Sequence, residues 1–151
     1  MTERIPYFAY GSNISKAQMS ERIPGSHDVG IGYLPNFQLV FNRHGTYRSG
    51  GVASVIPEMN AQVFGYIYML TSQQLAVMDE IEHPDAYERK TIRVFQMDRN
   101  HAIESEIECQ TYFSFPTGSY APSVSYIQLI ISSAIERGLP KKYIEMLELY
   151  G

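Results

Sequence analysis

The sequence predicts an α+β fold whose β-sheet is curled or barrel-like. Strand-like runs bounded by Gly, Pro and Asn fill most of the chain, helical patterns are inserted singly or appended at the end, and strands and helices nowhere alternate as regular βαβ units. No internal repeat, low-complexity tract or linker divides the 151 residues, so residues 1–151 read as one domain, large enough to bury a core without disulfides.

Each element has a local reason. "YFAY", residues 7–10, is short and aromatic and stops at Gly11, as a strand ending in a turn does. Ser15 with Gln18 three residues later has the capping-box pattern, and Ile14 and Met19 stand at the spacing of a hydrophobic staple. A helix therefore starts near Lys16 and ends before Pro24-Gly25. Four strands are expected at residues 29–34, 37–42, 52–56 and 63–70, separated by Pro, Asn and Gly punctuation. Thr71 with Gln74 repeats the capping-box pattern and opens a second helix through Leu75, Met78 and Ile81. That helix should finish near Glu82, because His83 precedes Pro84 and a residue before proline is driven out of the helical region. Residues 87–97 and 107–113 read as a hairpin joined through "DRNH". After the loop "SFPTGSYAPS" a longer helix spans residues 124–137, with Tyr126, Ile130 and Ala134 apolar and Gly138 as its stop, and a last short helix starts near Pro140.

Composition narrows the function. Apolar residues at 44% and charged residues at 19% describe a globular protein rather than a disordered one. A net charge of −4 without clustered Lys or Arg gives no electrostatic reason to expect nucleic acid or an anionic membrane. The N-terminal segment "MTERIPYFAYG" has neither a leader's pattern nor a membrane-spanning apolar stretch. The single cysteine, Cys109, excludes an internal disulfide and suits a reducing compartment, so a cytoplasmic protein is expected. His27, His44, His83 and His101 show no pair at helical ligand spacing, and no metal site is expected. Cys109 alternates with Ile107 and Thr111 on a strand and reads as a small buried filler rather than a reactive thiol.

One acid is out of place. At about 100° per residue, with Leu75 as reference, Met78 lies about 60° away, Glu82 about 20° and Glu80 about 140°. Glu82 therefore projects from the apolar face, Asp79 lies on its flank and Glu80 faces water. Partial burial and the negative end of the helix dipole would both raise the pKa of Glu82, which suits a group exchanging a proton near neutrality. The alternative is a helix ending one turn earlier, with Glu82 solvated or paired with Arg89 or Arg93.

The turn Gly11-Ser12-Asn13 leads from strand to helix, where backbone N–H groups can converge without partners and attract a carboxylate or a developing oxyanion. Gly11 would allow a conformation closed to other residues and a close approach to the backbone. An ordinary strand-to-helix turn has the same composition. Ser12 lacks the second glycine of a nucleophile elbow.

The two signals meet in one arrangement. "YFAYGSN", "MDEIE", "YFSFP" and "PSVSYIQLIISSAIERGLPKKY", in that order from about Tyr7 to Tyr143, resemble the γ-glutamylcyclotransferase family. That resemblance implies a small mixed barrel-like sheet flanked by helices, with a pocket at one end lined by Tyr10, Gly11, Ser12 and Asn13. It implies cyclisation of the γ-glutamyl group of a small substrate to 5-oxoproline, with release of the attached amino acid or amine and no cofactor. The last acid of the family's Asp-Glu-x-Glu segment falls on Glu82, as general acid and base. Tyr87, Tyr112 and Tyr126 match family tyrosines near the pocket and would bind substrate, fix Glu82, or pack in the core with satisfied hydroxyls. Family members often carry Gly after the catalytic acid, whereas this chain has His83-Pro84, which puts the leaving group in question. Asp79, Glu80, Asp85 and Glu88 near Glu82 would suit a polycationic leaving group, as in the branch that deprotects aminoglycoside precursors. A non-catalytic binding module is the remaining reading. Exposed tyrosines and the helix at residues 124–137 would permit a homodimer face.

Overall fold

The computed structural model describes residues 3–151; Met1 and Thr2, which the 1–151 domain and the reading of the N-terminal segment include, lie outside it. Five strands, β1 (Arg4–Ala9), β2 (His27–Gly45), β3 (Gly50–Thr71), β4 (Tyr87–Met97) and β5 (Ile103–Ser114), close into a barrel in the order β1-β3-β2-β4-β5. All neighbouring pairs are antiparallel except β1 and β5, which meet in parallel at Tyr7 and Gln110 and make the sheet mixed. Four helices flank it: α1 (Lys16–Arg22), α2 (Ser72–Ile81), α3 (Val124–Arg137) and α4 (Lys141–Glu148). None is long and apolar enough to cross a membrane among the described residues.

The four strands expected between residues 29 and 70 are two long ones. Pro35-Asn36, which reads as a turn, is a bulge: pairing passes from Pro35 with Gln62 to Phe37 with Pro57. Asn36 and Asn60 take φ of 62° and 69°, and the Asn36 side chain accepts the Asn60 N–H at 3.1 Å. Asparagine tolerates the left-handed region, so both strands bend together without ending. The second long hairpin, β4 with β5, starts its return strand at Ile103, four residues before the expected start, because the Asp98 carboxylate accepts the N–H groups of Asn100 and Ala102 and closes the turn tightly.

Alternation along β1 divides the interior. Phe8 joins Leu34, Val63, Ile67, Val94 and Cys109 inside a cluster completed by Ile127, Ile130 and Leu147 of α3 and α4. Tyr7 and Ala9 face the other way, against Met19, Leu75, Met78 and Tyr112. Cys109 is wholly buried, and burial pushes its thiol up to about 12, as befits a filler.

The caps hold with one exception. Thr71 and Gln74 form a complete capping box, and Gly138 closes α3 at φ 76°. Ser15 accepts the Gln18 N–H at 3.1 Å, but the Gln18 side chain does not return the bond. It donates instead to Ser12 Oγ at 2.7 Å and Asn13 Oδ1 at 2.9 Å, bracing the preceding loop. The expected staple also fails, since Ile14 and Met19 are both buried but in different clusters.

Candidate active site

β1 carries the chain into Tyr10 and Gly11, and a single 3₁₀ turn, Ser12–Ile14, then leads to α1. Ile14 and Ser15 N–H groups turn back onto the Gly11 and Ser12 carbonyls at 3.1 Å, whereas those of Gly11, Ser12 and Asn13 have no acceptor among the described residues. Gly11 is not in the left-handed region; its φ is −115° and its ψ −137°, outside the helical and extended regions. A Cβ there would meet Ala53 Cβ and Tyr126 Oη at 3.5 Å, ordinary contacts, so the glycine contributes open space beside Tyr126.

The turn is locked from behind. Asn13 is 4% exposed; its amide donates to Tyr7 Oη at 3.0 Å and to Met78 Sδ at 3.6 Å, and its oxygen accepts from Gln18 and from Arg22 at 3.2 Å. Tyr68 donates to the Asn13 carbonyl at 2.7 Å. Arg137, its side chain 8% exposed, reaches the Ile14 carbonyl at 3.1 Å and Tyr68 Oη at 2.9 Å, and pairs with Asp28 at 2.8 Å.

The capping box sets where α2 begins, and ten residues later the chain reaches Glu82, still helical at φ −77°, ψ −9°. Leu75 and Met78 are buried and Glu80 is exposed, as the periodicity requires. Glu82 has neither expected cationic partner: Arg89 pairs with Asp79 at 2.9 Å, and Arg93 pairs with Glu106 and Glu108. It lines a cavity of about 820 Å³ together with Tyr10, Gly11, Ser12 and Asn13. Burial raises its pKa to about 7, opposed by the positive charges of Arg22 and Arg48. Glu82 keeps part of its surface open to the cavity, yet the surrounding protein still desolvates it.

His83 leaves the helix at φ 60°, out of the right-handed helical region as expected of a residue before proline, and in the left-handed one. It sits where a helix-ending glycine belongs: its N–H reaches the Glu80 carbonyl at 3.2 Å, and its own carbonyl accepts from Ala86 at 2.9 Å and Tyr87 at 3.0 Å. His83 is exposed at the cavity wall. Replacing His83 with Gly is expected to raise stability by about 1 kcal/mol, by relieving the left-handed penalty. A urea midpoint that stays or falls would contradict this account of the helix end.

Tyr87, Tyr112 and Tyr126 all line the cavity, but their hydroxyls differ. Tyr87 donates to the Ala53 carbonyl at 3.0 Å, Tyr112 to Asp79 at 2.6 Å, and Tyr10 to the Tyr112 carbonyl. A phenol has one proton, so these three can only accept from a guest. Tyr126 instead accepts the Ala53 N–H at 3.0 Å and Tyr7 accepts from Asn13, leaving both protons uncommitted. Burial and the nearby Glu82 charge raise the Tyr7 hydroxyl; burial, against its Ala53 bond, raises Tyr126 to about 12. Both stay protonated.

The sequence reading missed Tyr7, Arg22 and Arg48. Tyr7 was visible as an aromatic strand residue, but only the closed sheet shows that its face meets Glu82. Arg22 and Arg48 carry no local signal; they arrive from the last turn of α1 and from the β2–β3 turn. Of the acids that would favour a polycation, Asp79 and Glu88 are paired with Arg89 and Lys90, Glu80 is not in the cavity lining, and Asp85 lines it exposed.

The model of the AIG2-like family matches residues 62–147, more than half the chain. The chain belongs to the AIG2-like family. This AIG2-like chain is 29% identical over 150 residues to the human γ-glutamylcyclotransferase, covering 97% of itself and 78% of that protein, and 28% identical to the mouse one over the same shares. A solved structure of a γ-glutamyl cyclotransferase superposes with a TM-score of 0.90 at 27% identity, over 97% of this chain and 87% of that one. In this family member the matched stretch contains Glu82, Tyr87, Tyr112 and Tyr126, whereas residues 10–13 precede it.

Proposed function

We propose that this protein is a γ-glutamylcyclotransferase with Glu82 as its general acid and base. The observation that carries the reading is one carboxyl group, raised to about 7, in the same cavity as the partnerless N–H groups of residues 11–13. The ionised Glu82 takes a proton from the α-ammonium of a γ-glutamyl substrate. The freed amine attacks its own γ-carbonyl carbon, forming the ring C–N bond and placing negative charge on the carbonyl oxygen. Collapse breaks the original amide C–N bond while Glu82 returns its proton to the departing nitrogen; the carboxylate then carries the extra proton of the ring ammonium to the same nitrogen, giving 5-oxoproline and the released ammonium with Glu82 ionised again. Electrons and protons balance within substrate and Glu82, so the reaction needs no cofactor or metal.

The N–H groups of Gly11, Ser12 and Asn13 stabilise a substrate carboxylate or the tetrahedral oxygen. Tyr126 and Tyr7 supply the uncommitted protons beside Glu82, while Tyr10, Tyr87 and Tyr112 shape the pocket and accept from the guest. Attack is intramolecular, so the substrate brings its own proximity advantage, worth up to about 7 to 11 kcal/mol in well-oriented systems. The substrate class is γ-glutamyl amino acids, because three arginines line the cavity and the acids that would hold a polycation are mostly engaged elsewhere. The enzyme works in the cytoplasm on this small molecule, as one domain.

Purified protein incubated with γ-glutamyl amino acids, γ-glutamyl amines and glutathione is expected to release 5-oxoproline most readily from the amino-acid conjugates. Binding without product would instead indicate a binding module, and product from amines alone would move the substrate class.

A further inference from the structure

Three guanidinium groups stand on the cavity wall without a carboxylate partner among the described residues: Arg22, Arg43 and Arg48 are half-buried and absent from every ion pair. The cavity's other acids, Glu21 and Asp85, are exposed. Half-buried cations left unpaired at a cavity await an anion, since desolvation without a partner is costly. Arg22 donates to Asn13 and Arg43 to the Phe115 carbonyl at 2.8 Å, each through one nitrogen.

Arg48 is held differently. It stands on the β2–β3 turn, its guanidinium 5.2 Å from the centre of the Tyr126 ring. One terminal nitrogen donates to Gln18 Oε1 at 2.9 Å and lies 3.4 Å from Ser12 Oγ. The Gln18 amide nitrogen is committed to Ser12 and Asn13, which turns its oxygen toward Arg48 and fixes the guanidinium plane. A guanidinium has five N–H donors, and most of these stay free for a bidentate carboxylate.

We propose that Arg48 is a specificity residue that binds the α-carboxylate of the departing amino acid. This rests on the cyclotransferase reading and deepens it: the γ-glutamyl end lies between Glu82 and residues 10–13, and the far end of the substrate meets Arg48 beneath the β2–β3 turn. Gln18 and Tyr126 act as its supports.

γ-Glutamylalanine and γ-glutamylethylamine differ only in that carboxylate. The wild-type protein is expected to favour γ-glutamylalanine in kcat/KM by on the order of 10- to 100-fold, the worth of a charge-assisted bidentate pair. In R48Q the ratio of the two kcat/KM values should collapse toward one, chiefly through a higher KM for γ-glutamylalanine. Calorimetric binding of both compounds to wild type and R48Q separates this subsite from the chemistry. If neither compound yields 5-oxoproline, the reaction assignment fails, yet an Arg48-dependent binding preference for the carboxylate still upholds the subsite. A ratio that survives in R48Q, or an equal loss on both compounds, overturns it.

Discussion

Glu82→Gln is expected to reduce 5-oxoproline release by about 100- to 10,000-fold, the usual worth of a positioned general acid and base. Glutamine keeps the shape but can neither take the α-ammonium proton nor return it to the leaving nitrogen. Substrate binding should persist, because the donors of residues 11–13 and the arginines are untouched. In the wild type, activity should rise with pH as Glu82 ionises, reaching half its limit near its own pKa of about 7. The stability trace has the opposite sign. A carboxyl whose folded pKa lies above its unfolded one binds protons more tightly when folded, so its ionisation costs nothing below the unfolded value and costs most above about 7. Glu82→Gln should therefore be more stable than wild type at pH 8, by at most about 3 kcal/mol and less where cavity water screens the charge, and no more stable near pH 4. Denaturant midpoints at the two pH values give this directly. Unimpaired turnover in the variant, or a pH profile with no inflection near neutrality, would remove Glu82 from the chemistry.

How much of this was legible depends on range. β4 and α3 occupy the expected residues 87–97 and 124–137, and both are bounded by chain-local devices: the left-handed His83 turn ahead of β4, the Ser123 cap and Gly138 at the ends of α3. The orientation of Glu82 was readable because the wheel drawn from Leu75 holds only if helical geometry reaches residue 82, and Glu82 caps the helix with helical dihedrals and its N–H on the Met78 carbonyl. The breaks at Pro35-Asn36 and around Asn60 were misread because the same residues serve a turn and a bulge, and only cross-strand pairing separates the two. Gln18 shows the limit within one motif. Its backbone N–H follows the local rule while its side chain answers to Ser12, Asn13 and Arg48. The positioning of the loop by Arg137 joins residues 123 apart in sequence, and no spacing rule reaches that far.

The loop also depends on a contact behind β1 that a single methyl would break. Gly32 and Gly65 face each other across β2 and β3, and Phe8 of β1 lies over the gap between them. A Cβ on Gly65 would stand 2.1 Å from the Ala9 carbonyl oxygen and 2.9 Å from the Phe8 ring. The first of these is backbone, so the clash can be relieved only by moving β1, and Tyr10 and Gly11 move with it. A Cβ on Gly32 would meet the Phe8 ring at 2.7 Å and Ile67 at 3.0 Å, buried side chains that can yield by local repacking without moving a strand. Gly65→Ala is therefore expected to destabilise the fold by about 3 kcal/mol or more, at the upper end of single-residue effects, and Gly32→Ala by about 1 to 3 kcal/mol, as overpacking usually does. Urea unfolding of the two variants side by side tests the ordering. A Gly65→Ala protein as stable as wild type would mean that β1 does not cross the paired glycines at this distance, and the cavity wall it leads into would have to be placed anew.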